Sequence, residues 1–162
     1  MTKQLSFNGG ITQVFKAIYP GEFTENPVRR RIVIDNAPHT VANGSLVLTE
    51  LRGFNSWLTY RKISSYRVDG EDPTIRAAGH DVVDFSVSKH VTKWMDVNFS
   101  IDNVLNKTYN ETQQYHESRL RGDQPIGVDE NGTDIYPSRF HITPGFGTTF
   151  NFGITFRLFG KN

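Results

Sequence analysis

The 162-residue sequence predicts an all-β fold, an antiparallel meander of about six strands. Three observations carry this. Apolar and polar residues alternate with period two along several stretches, the connections between those stretches are alternately short and long, and no stretch holds a helical period throughout. The length corresponds to about one domain.

The elements follow in chain order. Leu5, Phe7, Ile11, Phe15, Ala17 and Tyr19 share one parity, with Ser6, Asn8, Thr12 and Lys16 on the other. Leu46 and Leu48 alternate with Asn43, Ser45 and Thr49, and Arg52-Gly53-Phe54-Asn55 supplies a glycine turn before a strand at Trp57–Tyr66. In that strand Leu58 and Tyr60 take one face, Trp57 and Ile63 the other. Val83, Phe85 and Val87 then alternate with Asp84, Ser86 and Ser88, and Met95, Val97, Phe99 and Ile101 with Asp96, Asn98, Ser100 and Asp102.

A helix competes here, because Val83, Val87, Val91, Met95 and Phe99 recur every four residues. On a helix Phe85, Val97 and Ile101 would fall opposite that stripe, whereas on strands they join it. Two strands joined at His90–Thr92 are expected. The last strand is Phe150–Leu158, where Phe150, Phe152, Ile154, Phe156 and Leu158 alternate with Asn151, Gly153, Thr155 and Arg157.

The connections near Arg52–Asn55 and His90–Thr92 are short, whereas Pro20–Thr40, Arg67–Gly79 and Asn103–Thr148 are long and rich in Gly, Pro, Asn and Asp. In an antiparallel meander this alternation collects the short turns at one end and the long loops at the other. An outer-membrane β-barrel has that profile, with short periplasmic turns and long extracellular loops. A mean hydropathy of −0.47 does not oppose it, because barrel strands hide half their residues from lipid. No run of about 20 apolar residues offers a transmembrane helix. The start, Met1 to Asn8, has no apolar run of about 7–15 residues and does not read as a signal peptide.

If the apolar parity faces lipid, then Asp84, Asp96, Asn98, Asp102, Asn151 and Arg157 face the lumen. The reverse would put a cation on the lipid face, at about 2–4 kcal/mol near the midplane. A soluble β-sandwich is the alternative, since it also alternates apolar and polar residues and packs the apolar ones against a second sheet. A third reading is a passive pore or adhesion barrel closed by oligomerisation.

Charge and composition exclude several other classes. Eighteen Lys and Arg against 17 Asp and Glu leave no field to gather nucleic acid. The absence of Cys removes disulfide frameworks, Cys zinc sites and thiol nucleophiles. His39, His80, His90, His116 and His141 never fall at metal-ligand spacing in sequence, so no metal site is expected. Asp84 and Asp96 could approach across neighbouring strands, but no nucleophile motif accompanies them and no enzyme is expected. Asp129-Glu130-Asn131-Gly132-Thr133-Asp134 lacks the spacing of an EF-hand and reads as a solvated hairpin tip.

The segment Asn103-Val104-Leu105-Asn106-Lys107-Thr108-Tyr109 resembles the N-L-F-D-K-x-Y signature that closes the penultimate strand of TonB-dependent outer-membrane receptors. Ala37-Pro38-His39, Val82-Val83-Asp84 and the Phe150–Leu158 strand resemble the end of that receptor barrel in the same order. Leu105 departs from the usual Phe, and the chain ends Phe159-Gly160-Lys161-Asn162 rather than on an aromatic residue. The resemblance implies a bacterial outer-membrane importer of a scarce ligand, such as an iron siderophore or cobalamin, driven by TonB. It implies no cofactor. It makes residues 1–162 the last quarter of the barrel, with the plug domain and signal peptide outside the chain. Asn103–Thr148 becomes the last extracellular loop, in which Tyr115, Arg119, Arg121 and Tyr136 are the candidate ligand contacts. The implied partners are the rest of the barrel, the plug, the TonB complex, outer-membrane lipid and the small-molecule cargo.

Overall fold

A computed structural model describes residues 4–20, 31–69 and 72–157, and among the described residues it holds strands and no helix. In chain order the strands are β1 (Leu5–Gln13), β2 (Ile18–Pro20), β3 (Arg31–Val33), β4 (Thr40–Leu51), β5 (Phe54–Ile63), β6 (Tyr66–Arg67) and β7 (Arg76–Ala77). They continue as β8 (His80–Thr92), β9 (Met95–Asp102), β10 (Asn110–Glu117), β11 (Gly127–Val128), β12 (Asp134–Ile135), β13 (Ser138–Pro144) and β14 (Thr149–Phe156). Six of them form one antiparallel sheet in the order β1-β4-β5-β8-β9-β14, which is sequence order and therefore a meander. The long connections carry hairpins of their own: β2 with β3, β6 with β7, β10 with β13, and β11 with β12.

The ends of the sheet differ as the connection lengths require. β4 and β5 meet at Arg52–Gly53, whose positive φ angles of 52° and 78° are those of a type I′ hairpin turn. β8 and β9 meet at Lys93–Trp94, closed by the Thr92–Met95 pair. This corrects the joint expected at His90–Thr92. Val91 and Thr92 are β-branched and extend the strand, and His90 stays in the ladder opposite Asp96. Two other boundaries move. β5 begins at Phe54 and ends at Ile63, so Tyr66 belongs to the next hairpin. β1 ends at Gln13, opposite Thr40, so Phe15, Ala17 and Tyr19 are not part of it. Leu158 and the terminal Phe159-Gly160-Lys161-Asn162 lie outside the described residues, as do Met1 to Lys3.

Directly paired residues project from the same face of a sheet, so the register identifies both faces. Phe7, Leu46, Leu58, Phe85, Ile101 and Phe150 pair in succession and form an unbroken apolar row across all six strands. The opposite face carries Ser6, Val47, Trp57, Ser86, Ser100 and Asn151 in one row. Leu58 and Tyr60 thus share the apolar face and Trp57 and Ile63 the polar one, as the sequence predicts. Among the described residues nothing covers the apolar face: Phe7 is 61% exposed, Phe150 67% and Phe152 71%. A sandwich would need a second sheet there. Full burial occurs instead at the long-connection end, at Val68, Ala77 and Val82.

Candidate functional site

The polar face gathers the six residues assigned to it from sequence and links most of them. At the short-turn end Asp96 lies between His90 Nδ1 and Arg157 Nη2, each 2.5 Å away. His90 Nε2 reaches Glu50 Oε1 at 3.0 Å. Midway, Asn98 Nδ2 donates to Thr155 Oγ1 (3.0 Å) and Asn151 Nδ2 to Asp102 (2.9 Å). Asp84 accepts from Arg61 at 3.1 Å and from the Asn103 backbone at 2.9 Å. Asp84 and Asp96 do not approach each other. Asp96 pairs with His90, which lies six residues along β8 from Asp84, roughly 20 Å in an extended strand.

The Asn103–Tyr109 motif is a knot at the end of β9. Asn103 adopts φ 52° and Asn106 φ 49°, a left-handed conformation that asparagine tolerates better than most residues. The Asn103 side chain is almost fully buried. Its Nδ2 donates to the carbonyls of Lys107 (2.8 Å) and Phe146 (3.1 Å), and its Oδ1 accepts from Lys107 N–H (2.9 Å). Val104 N–H donates to Val83 O (2.7 Å), and Thr148 Oγ1 donates to Asn103 O (2.9 Å). One residue therefore ties β8, β9 and the entry to β14. Leu105, which stands where the signature has Phe, is 54% exposed and outside this knot. Lys107 pairs with Asp81 at 3.3 Å.

Tyr109 packs on the backbone of Gly145, where an added Cβ would sit 2.3 Å from the ring. Its hydroxyl donates to Glu111 (2.8 Å), and burial, with that carboxylate, pushes the phenol up from its ordinary range. Beside it opens a cleft of about 400 Å³ lined by Arg61, Asp84, Asp102, Tyr109, Glu111 and Phe146, among others. Arg61 and Glu111 are its unforeseen members. Arg61 was hidden by the weak alternation of β5, although its register opposite Val82 puts it on the polar face.

The last connection holds two hairpins, with β11 and β12 nested in sequence between β10 and β13. Gln113, buried in β10, accepts from Ala78 N–H (3.1 Å) and donates to Ala78 O (2.8 Å), clamping β10 to the segment after β7. Of the candidate contacts, Tyr115 lies against Phe140 with centroids 5.2 Å apart, and Arg119 sits 4.8 Å over the ring of Tyr136. Tyr136 is 7% exposed and supports the hairpin, while Arg121 is exposed at the turn. Asp123 forms an ion pair with Arg139 that holds its carboxyl below the usual carboxylate range. His116 and His141 stack across this hairpin at 4.0 Å, a proximity that sequence spacing hides because the two lie on different strands. Asp129 Oδ1 accepts from Asn131 N–H (2.9 Å) and Thr133 N–H (2.7 Å), so the Asp129–Asp134 segment is a hairpin tip closed on itself.

No protein-family model and no curated protein matches the sequence. Solved structures do match. The siderophore receptor PiuA from Acinetobacter baumannii superposes with a TM-score of 0.66 at 14% identity, over 96% of this chain and 20% of that one. The ferric-catecholate import receptor Fiu from E. coli K12, in its closed form, does so with a TM-score of 0.57 at 13% identity, over 96% and 19%. The six-stranded antiparallel sheet has the fold of a segment of those receptors' barrels. This chain spans about a fifth of the length of those receptors.

Proposed function

We propose that this chain is the C-terminal barrel segment of a TonB-dependent outer-membrane receptor that imports an iron-siderophore type of cargo. Residues 1–162 supply six strands of the wall, the apolar face meets lipid, and the polar face meets the lumen and the plug domain. The long connections are extracellular, and Tyr115, Arg119 and Arg121 are offered to cargo, with Tyr136 holding Arg119 in place.

The observation that carries this reading is the distribution of charge on the apolar face. Lys62 and Asp81 stand opposite each other in the ladder at its long-connection end, and Lys89 stands at its short-turn end, Nζ 3.8 Å from the Phe54 ring centroid and 2.8 Å from Arg52 O. Between them β8 presents Val83, Phe85 and Val87. From Asp81 to Lys89 is roughly 26 Å of strand, which a tilt of about 40° shortens to about 20 Å, close to the apolar band of a membrane barrel. The uncharged span between them is what a wall facing lipid requires.

Residues 1–162 contain no Cys, so single cysteines placed in them are read against the unsubstituted receptor as background. In intact cells carrying the receptor, Arg121→Cys should react with a membrane-impermeant maleimide, while Lys93→Cys should react only after the outer membrane is opened. Equal labelling of both in intact cells would reject the orientation. Loss of siderophore-dependent iron uptake on deleting the receptor, with no loss when it is complemented, tests the cargo class.

A further inference from the structure

The Glu50 carboxylate that reaches His90 at the short-turn end is aimed there by a β-bulge. Leu48 pairs with Ser56 and Leu51 with Phe54, so Thr49 and Glu50 together stand opposite the single residue Asn55. A bulge of this kind redirects a side chain. Glu50 takes a φ of 54°, a left-handed conformation uncommon for a residue with a Cβ, and its carboxylate crosses β5 to meet His90 on β8.

Both ring nitrogens of His90 face carboxylate oxygens, Nδ1 at 2.5 Å from Asp96 Oδ1 and Nε2 at 3.0 Å from Glu50 Oε1. A neutral imidazole has one N–H and one lone pair, so only the imidazolium donates to both. Two carboxylates then face two cations, the second being Arg157, whose Nη2 donates to Asp96 at 2.5 Å and stands 3.5 Å from His90 Nδ1. Nε2 has a further neighbour of the opposite kind. The buried Asn55 accepts the Glu50 N–H through Oδ1 at 2.9 Å, which orients its amide and sets the donor Nδ2 3.4 Å from His90 Nε2. One ring nitrogen thus stands between an acceptor that needs its proton and a donor that needs its lone pair.

Among the described residues, the groups facing this ring are Glu50 from β4, Asn55 from β5, Asp96 from β9 and Arg157 after β14. Lys89, the adjacent cation on β8, leaves the other face and donates to Arg52 O. The His90 backbone N–H donates to Gly53 O at 2.9 Å whatever the charge on the ring, so the ring keeps its place while its partners change.

We propose that His90 is a protonation-dependent latch on the β4 bulge. With the proton on, Nε2–H holds Glu50 and ties the bulge to β8. As pH rises the proton leaves to solvent, and Nε2 accepts from Asn55 Nδ2 while Nδ1–H stays on Asp96. The Glu50 side chain, already 60% exposed, then turns to water and frees the bulge, with the backbone ladder unbroken. The latch is built from this chain's own residues, and it stands or falls independently of the cargo that the receptor imports.

The test uses the full receptor in dodecyl maltoside micelles, with a nitroxide on Thr49→Cys, the exposed second residue of the bulge, read against the unsubstituted receptor treated with the same label. Electron paramagnetic resonance follows the nitroxide from about pH 5.5 to about pH 10, a span that brackets the histidine range. A single rise in mobility with pH is expected. Glu50→Ala should leave the label mobile at every pH, and His90→Gln should abolish the step. Glu50→Ala keeps the His90, Asp96 and Arg157 contacts, so it carries the test where His90→Gln fails to fold. The same label on Arg121→Cys, in the last long connection, should show no step. Absence of the step at Thr49, its persistence in either variant, or an equal step at Arg121 overturns the latch.

Discussion

Asn103 shows how one side chain can do what neither a helix nor a strand can. Leaving β9 requires a left-handed residue, and joining β14 forty-odd residues later requires bonds that cross the gap. Asparagine meets both needs, with φ 52° and an amide bonded to Lys107 N–H and to the Lys107 and Phe146 carbonyls. Asn103→Ala leaves two carbonyls and an amide without these partners and keeps the strained φ, a cost of about 3 kcal/mol. Asn103→Asp keeps the acceptor but loses both donated bonds, and it places a carboxylate beside the carbonyls it formerly bonded. Urea titration in lipid vesicles should therefore show both variants unfolding at lower denaturant, with no change in the labelling pattern of the folded fraction. Gly145→Ala should be similarly costly, because Tyr109 occupies the space a methyl would need.

At the scale of elements, the last connection behaves as a folded unit clamped by Gln113 and closed by the Asp123–Arg139 pair. The Asp123 carboxyl is held below its ordinary value, first by the Arg139 hydrogen bond and then by the Leu120 backbone amide. A carboxylate whose folded pKa is depressed stabilises above its unfolded pKa of about 4 and loses that contribution as pH falls through the folded value. Limited proteolysis between Leu120 and Arg139 should thus accelerate below about pH 4 in the native chain, and Asp123→Asn should show the faster cleavage already at pH 7. Unchanged cleavage in Asp123→Asn would mean that Gln113 and the β10–β13 ladder hold the unit alone. These elements also mark where sequence stopped being informative. Five of the six long strands were legible because each exposes two chemically different faces, and period two survives any end error, whereas β5 alternates weakly and was read from its glycine turn and its neighbours. The hairpins inside the long connections were not, since pairs such as Arg67–Arg76 and His116–His141 are brought together by turns rather than by spacing. Lys93–Trp94 was missed because no Gly, Asn or Asp announces that turn.

For the whole molecule, the question is what covers the apolar face, and depth rather than burial gives the discriminating prediction. Phe152 lies midway along β14 opposite Phe99, while Phe156 lies at the short-turn end opposite Met95 and stacked with Trp94 at 5.8 Å. A lipid environment penalises a cation by about 2–4 kcal/mol at the midplane and by about 0–1 kcal/mol near the interface, where a long side chain reaches water. Phe152→Lys should therefore destabilise the vesicle-inserted receptor strongly and Phe156→Lys mildly, as the native Lys89 at the same end already indicates. Asn151→Lys, one residue away on the polar face beside Asp102, should cost little. A second protein sheet packed on this face would give another pattern, in which the cost follows how completely the partner buries each position and Phe156→Lys is as damaging as Phe152→Lys. The three variants, compared by urea unfolding in vesicles, separate a wall facing lipid from a wall facing protein.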